Sequence, residues 1–271
     1  MRQFLVWIPR RRTAATASAR DAEPLAERAA RPIGYATRQP HMHRLLRPGD
    51  RLWFVGSDRK FGLAQPSLDA ELVVGSLILD SGALKVRAGD GSRWLAWNNA
   101  TGLLMGLRFS GRSGTLALSS ARPFGVQLRT NRLLDEASAM ATEHYADALD
   151  YRPGLFISYK WRDAGRLVGP VVAAAAAAGF APWWDRWSAP RRLSRELEPT
   201  PDGDLSAFLR HAIDGSKAAL VLSTPHYGTG GTAIEIAAIR QRGMPVLMIG
   251  PEQMASPQHL ARQFMEFRRR V

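Results

Sequence analysis

The spacing of apolar residues changes near residue 150, and with it the kind of structure the chain predicts. Before that point the apolar runs are short and separated by Gly, Ser, Asp and Asn. Phe4 to Ile8 predicts a strand stopped by Pro9. The turn Arg47-Pro48-Gly49-Asp50 then leads into a strand over Arg51 to Gly56. Leu68 to Leu79 predicts a longer strand with Gly75 as a bulge. Ala83 to Arg87, Trp94 to Trp97, Gly102 to Phe109 and Thr115 to Leu118 predict further short strands. Residues 10–40, rich in Ala and Arg, read as a loop holding one helix near Pro24 to Ala30. Many short strands joined by turns predict a mainly β domain, folded as a small barrel or a curled sheet.

Leu134, Ala141, Tyr145 and Leu149 fall at helical spacing, and Tyr151-Arg152-Pro153-Gly154 ends that helix. The chain therefore divides into a basic, β-rich sensor domain over 1–132, a connecting helix and linker over 133–152, and a third segment over 153–271. This last segment alternates strand and helix. Leu155 to Tyr159, Phe180 to Trp184, Ala218 to Ser223 and Pro245 to Ile249 predict strands. A helix starting near Gly169 tolerates Pro170 in its first turn and closes at Gly179. Asp204 caps a helix with apolar Leu205, Phe208, Leu209, Ala212 and Ile213. Thr232 to Arg242 predicts a helix ended by Gly243, and Ser256-Pro257 opens a last one. The pattern predicts an α/β domain with a doubly wound parallel sheet.

Charge separates the two halves further. Residues 1–134 hold 21 Arg plus Lys against 9 Asp plus Glu, a net of +12, whereas the remainder of the +13 chain carries only +1. Such asymmetry points to nucleic acid or another anionic ligand at the N-terminal domain. The competing reading is compositional drift, since Arg greatly outnumbers Lys and Ala is abundant. The absence of cysteine excludes disulfides, thiolate metal sites and thiol catalysis. His41-Met42-His43 would place two imidazoles on one strand face, but without further ligands no metal site is expected. The longest apolar tract, Val171 to Trp184, is broken by Gly179 and Pro182 and falls short of the roughly 20 residues of a membrane span. A cytoplasmic protein without a membrane partner is expected.

Candidate chemistry gathers in the second half. Phe156-Ile157-Ser158-Tyr159 with Asp163 comes first, followed by Gly179-Phe180-Ala181-Pro182-Trp183-Trp184-Asp185. Leu205 to Ser216 then leads into Ala219-Leu220-Val221-Leu222-Ser223. Last stands Tyr227-Gly228-Thr229-Gly230-Gly231-Thr232-Ala233-Ile234-Glu235. In this order, residues 153–250 resemble the Toll/interleukin-1 receptor (TIR) domain, a family of signalling adaptors and NAD-cleaving enzymes. The resemblance implies a flavodoxin-like sheet, NAD as a substrate rather than a permanently bound cofactor, no metal, and homo-oligomeric assembly when active. It implies Glu235 as the catalytic acid of an NAD glycohydrolase or ADP-ribosyl cyclase. Ser158, Tyr159, Lys160, Trp183, Trp184, Asp185 and Tyr227 are the candidate nucleotide contacts. Gly231 departs from the pattern, standing where many relatives have tryptophan. The loop Arg186 to Gly203 lacks a compact Pro-Gly turn, and no fifth strand is evident after Ile249.

Spacing alone gives Glu235 a second role. Thr232-Ala233-Ile234-Glu235 has the form of a capping box, in which the acid reaches back to its own helix start. The apolar residues Ile234, Ile236, Ala237, Ala238 and Ile239 would raise the pKa of a buried carboxyl here. Capping and catalysis both remain open at this level, and one residue can serve both.

In the first half, Phe4-Leu5-Val6-Trp7-Ile8, the segment Arg47 to Val55 and the strand Leu72 to Leu79 resemble PUA-like barrels of the EVE and ASCH kind. That resemblance implies binding of RNA or modified bases, with Trp7, Trp53, Trp94 and Trp97 stacking and Arg10 to Arg12 on phosphate. The alternative buries most of these tryptophans in the core. Together the two halves suggest a sensor-effector of bacterial anti-phage immunity that cleaves NAD on activation. A non-enzymatic TIR-like adaptor and a nucleic-acid-binding protein with an α/β dimerisation domain are the other classes.

Overall fold

The computed structural model describes residues 1–8, 35–58, 63–111, 114–164, 167–184 and 207–271. They form two units, Met1–Ser57 with Gln65–Asp150, and Asp58–Ala64 with Tyr151–Val271. The helix expected near Pro24 to Ala30, the Arg10 to Arg12 run, Asp185 and the loop 186–203 lie outside the described residues.

The first unit runs β1 (Gln3–Trp7), β2 (Tyr35–Thr37), α1 (Pro40–Leu45), β3 (Arg51–Asp58), β4 (Leu63–Asp80), β5 (Ala83–Ala88) and β6 (Arg93–Trp94). It continues with α2 (Thr101–Gly106), β7 (Arg108–Gly111), β8 (Gly114–Ala117), α3 (Phe124–Gln127), β9 (Arg132–Leu133) and α4 (Glu136–Asp150). The main sheet is ordered β2-β5-β4-β3-β1-β9, with β6 also on β4. It is mainly antiparallel, but β1 and β3 run parallel. The Pro-Gly-Asp turn is fixed by buried Asp50, whose carboxylate accepts from the backbone N–H of Arg2 at 2.8 Å and of Arg47 at 2.9 Å.

Gly75 interrupts the β4–β5 register as the sequence predicts, between Val74 and Ser76. The bend lets the sheet curl until its two outer strands meet. Asn131, just before β9, donates to Tyr35 Oη of β2 at 2.6 Å. Gln39 accepts from the Asn131 backbone N–H at 3.0 Å and donates to the Arg129 carbonyl at 3.4 Å. Phe4, Val6, Leu52, Phe54, Leu72, Val74, Leu84 and Val86 form one core cluster with Met42 and Leu46 of the α1 segment. The alternate residues Leu5, Trp53 and Val55 belong to a second, with Leu104 of α2 and Ala146 and Leu149 of α4. The helix read as a connector thus contributes to this unit's core.

Two sequence expectations need correction. Gly102 to Phe109 is not one strand: Thr101–Gly106 is helical, and Leu104 and Leu107, three apart, are both buried. His41-Met42-His43 is helical too, since Pro40 opens α1 at a position where its missing N–H costs nothing. Met42 is buried, and the imidazoles bond separately to the carbonyls of Asn131 and Thr37.

The second unit runs β10 (Gly154–Ser158), α5 (Trp161–Ala164), α6 (Val168–Ala177), β11 (Ala181–Trp183), α7 (Ala207–Asp214) and β12 (Ala218–Leu222). It ends with α8 (Gly231–Gln241), β13 (Val246–Ile249), α9 (Pro251–Met254) and α10 (Pro257–Arg268). All four strands are parallel, in the order β11-β10-β12-β13. Every residue of β12 is buried, as a strand covered on both faces requires. Pro170 sits in the first turn of α6, and Gly179 follows its end at φ 87°, both as expected. Ser256 caps α10, accepting from the His259 backbone N–H at 3.3 Å.

Candidate functional site

Strand order reverses about β10, which has β11 on one side and β12 on the other. Open parallel sheets place ligands beyond the strand ends at such a point. Alternation along β10 puts Phe156 and Ser158 on one face. Phe156 packs there among Leu209 and Ile213 of α7 and Ile234 and Ile239 of α8. Ser158, fully buried at the strand end, therefore looks toward α8, and its Oγ donates to Glu235 Oε2 at 2.5 Å. Tyr227 Oη lies 2.8 Å from the same Ser158 Oγ. An ionised carboxylate only accepts, so the hydroxyls run in one direction: Tyr227 donates to Ser158, and Ser158 to Glu235. Burial, joined by the Glu235 charge, pushes the Tyr227 phenol up to about 12. It remains a donor at neutral pH.

The local sequence explains why Glu235 is available for this contact. The cap of α8 is Gly230, at φ 61° and ψ −132°, a residue with no side chain to bond the helix start. Thr232 lies inside the helix, accepting from the Gly228 N–H at 3.0 Å and donating to the Thr229 carbonyl at 3.1 Å. The capping-box reading of Thr232 and Glu235 is thereby overturned. A glycine suited to positive φ starts the helix two residues earlier, and Glu235 sits beyond the first turn.

Neighbouring groups tie the glycine-rich loop to the end of β10. Lys160 Nζ donates to the Thr229 carbonyl at 2.8 Å. Asp163 accepts from the His226 backbone N–H at 3.1 Å, and its other oxygen lies 3.0 Å from His226 Nδ1. Desolvation works against the charged Asp163, but neighbouring Thr224 and the His226 hydrogen bonds hold its carboxyl below the usual carboxylate value.

The structure thus brings Ser158, Tyr227 and Glu235 together and sets Lys160 at the adjoining loop. Trp183 stacks on Phe156, with ring centroids 5.2 Å apart and planes at 17°. Tyr159 and Trp184 are buried, and both contribute to the core. The sequence reading passed over His226, although Ser223-Thr224-Pro225-His226 directly follows a strand end, where site residues collect. Among the described residues no group of three or more His, Asp or Glu could hold a metal ion. No helix among them is long and apolar enough to cross a membrane.

In the first unit, Trp53 is fully buried with its indole N–H on Gln3 Oε1 at 2.7 Å, and Trp97 is buried as well. Neither presents a face for stacking a base, so that part of the expectation is corrected. Trp7 and Trp94 are half-buried against the two core clusters. Comparison of the chain with protein-family models, with curated proteins and with solved structures returns no match.

Proposed function

We propose that the second unit is a TIR-like domain that cleaves NAD at the nicotinamide–ribose bond. The observation that carries this reading is the hydrogen-bonded placement of the Glu235 carboxylate on buried Ser158, beside Tyr227, at the end of a parallel strand. A surface glutamate needs no such support; one required at a fixed point does. In this reading the substrate's positively charged nicotinamide nitrogen takes the electrons of the breaking C–N bond and leaves neutral, so no strong general acid is needed. The ribose carbon develops oxocarbenium character, which a nearby carboxylate stabilises. Water then attacks that carbon, giving ADP-ribose and a proton; attack by the adenine ring instead gives a cyclic product. Lys160 supplies a cation near the loop for the pyrophosphate. The parallel order β11-β10-β12-β13 supports the reading, since it matches the flavodoxin-like arrangement that TIR domains share.

The test is nicotinamide release from NAD by the full chain at high protein concentration, alongside Glu235→Gln and Glu235→Ala. Turnover in the wild type that falls at least 100-fold in both variants supports the assignment. Equal turnover in all three would overturn it. A folded, assembled wild type with no turnover under any condition would favour an adaptor built on the same scaffold.

A further inference from the structure

Independently of the NAD reading, we infer that the seam where the curled sheet of the first unit closes is a binding surface for the phosphate backbone of a nucleic-acid strand. Residues 28–49 and 91–134 contain no Asp or Glu. The fold joins parts of these two acid-free stretches at one place. Gln39 bonds both the Arg129 carbonyl and the Asn131 N–H, Asn131 bonds Tyr35, and His41 Nε2 lies 3.2 Å from the Asn131 carbonyl.

The seam consequently carries Arg38, Arg44, Arg129 and Arg132 with no carboxylate in either strand segment. Arg38, Arg44 and Arg129 are exposed. Arg44 stands three residues after His41 on α1, on the helix face that meets Asn131. Three other arginines of the unit are used structurally: Arg2 pairs with Asp50, Arg51 with Glu71 and Glu143, and Arg93 with Glu71, Asp147 and Asp150. The seam arginines have no such pairs among the described residues.

The arrangement selects a polyanion. The exposed arginines stand on separate segments that meet at the seam, a spacing along which successive phosphates fit better than a single one. No large hydrophobic side chain is exposed within 35–44 or 129–132, so nothing there would insert into a lipid surface. The seam hydrogen bonds use the backbone of Arg129 and the side chains of Gln39, Asn131 and Tyr35. The arginine side chains can therefore be reversed in charge without breaking the closure.

The experiment measures binding of a labelled, mixed-sequence single-stranded RNA to the full chain over a salt series, with the same DNA sequence as a second arm. The double variant Arg38→Glu with Arg129→Glu is set beside Arg262→Glu on α10 with Arg269→Glu at its end, which changes net charge equally. Loss of two phosphate contacts lowers the log–log salt slope by about 1.4 for a single strand. That loss in the seam variant, with the α10 variant at wild-type slope, is the expected result. Equal weakening in both variants, no binding to either nucleic acid, or binding only to anionic vesicles would each overturn the proposal. Circular dichroism melts of both variants exclude unfolding as the cause.

Discussion

Ser158 Oγ lies 2.5 Å from Glu235 Oε2, although 77 positions separate the two residues in the chain. Ser158 is buried and Glu235 half-buried, so this bond joins a strand end to the middle of a helix across the sheet face. Hydrogen bonds to charged groups contribute about 1.5–3 kcal/mol. Ser158→Ala should therefore lower the stability of the second unit by about 1–2 kcal/mol, part of the loss being recovered by water at the half-exposed carboxylate. Glu235→Gln, which keeps an acceptor, should cost less. Urea unfolding monitored by tryptophan fluorescence checks both. A midpoint unchanged in Ser158→Ala would show that the bond does not hold the helix to the strand.

Tyr227 makes a prediction at alkaline pH. Its phenol is raised from the ordinary value of 10 to about 12, first by burial and then by the Glu235 charge. The folded state thus favours the protonated form more than the unfolded state does. The stabilisation is complete below pH 10 and is lost as pH rises through 12. A full shift of that size is worth about 2.7 kcal/mol, and partial exposure reduces it to on the order of 1–2. Tyr35, also raised by burial, adds in the same direction. Tyr227→Phe should flatten the stability loss between pH 10 and 12. Identical slopes in the variant and the wild type would place the titration elsewhere.

Asp163 acts at the other end of the scale. Its carboxyl is held below the usual value despite desolvation, by neighbouring Thr224 and by hydrogen bonds from His226. A depressed folded value means stability that is present above the unfolded pKa of about 4 and lost as pH falls through the folded one. Asp163→Asn should therefore reduce the acid sensitivity of the second unit below pH 4. It should also loosen the segment after β12, because the His226 backbone N–H and ring both bond Asp163. Hydrogen exchange at His226 reads this directly. Protection equal to that of the wild type would mean that the other contacts, Lys160 on Thr229 and Tyr227 on Ser158 among them, hold the loop without Asp163.

The strands of the second unit were legible because each is a continuous apolar run closed by polar residues, and Gly179 and Gly243 marked the helix ends. Gly75 likewise announced its bulge. The failures have a common cause. α1 and α2 are six residues each, too short for helical periodicity to separate from strand alternation. The closure of the curled sheet depends on Asn131 and Tyr35, 96 residues apart, and no local pattern encodes such a pair. At the candidate site, the identities of Ser158, Tyr227 and Glu235 could be read from motif order, but their hydrogen-bonded line could not. The false capping box at Thr232 shows why. The helix start was decided by the positive φ of Gly230, a backbone property that side-chain spacing does not carry.

Two glycines offer a paired test of the backbone geometry. A Cβ on Gly75 would lie 2.8 Å from Gly89 Cα and 2.9 Å from Gly89 N, main-chain atoms that cannot swing aside. The β4 bulge thus rests on two glycine backbones in close approach, and relief would require moving β4 from the segment after β5. Overpacking of this kind costs about 1–3 kcal/mol. Gly231 differs on every count. It opens α8, and a Cβ there meets nothing within 4 Å. Replacing glycine by alanine in a helix gains up to about 1 kcal/mol, less at the first position, through the restricted unfolded chain. Thermal melts should therefore move in opposite directions, down for Gly75→Ala and level or slightly up for Gly231→Ala. A Cβ at Gly231 meets no neighbour, so Gly231→Trp can begin its side chain without a clash and should fold with a melting temperature close to the wild type. If NAD binds beside Glu235, the added ring should lower KM for NAD while leaving kcat within a few-fold. A Gly231→Trp chain that fails to fold, or a Gly75→Ala chain that melts with the wild type, would contradict the backbone arrangement described.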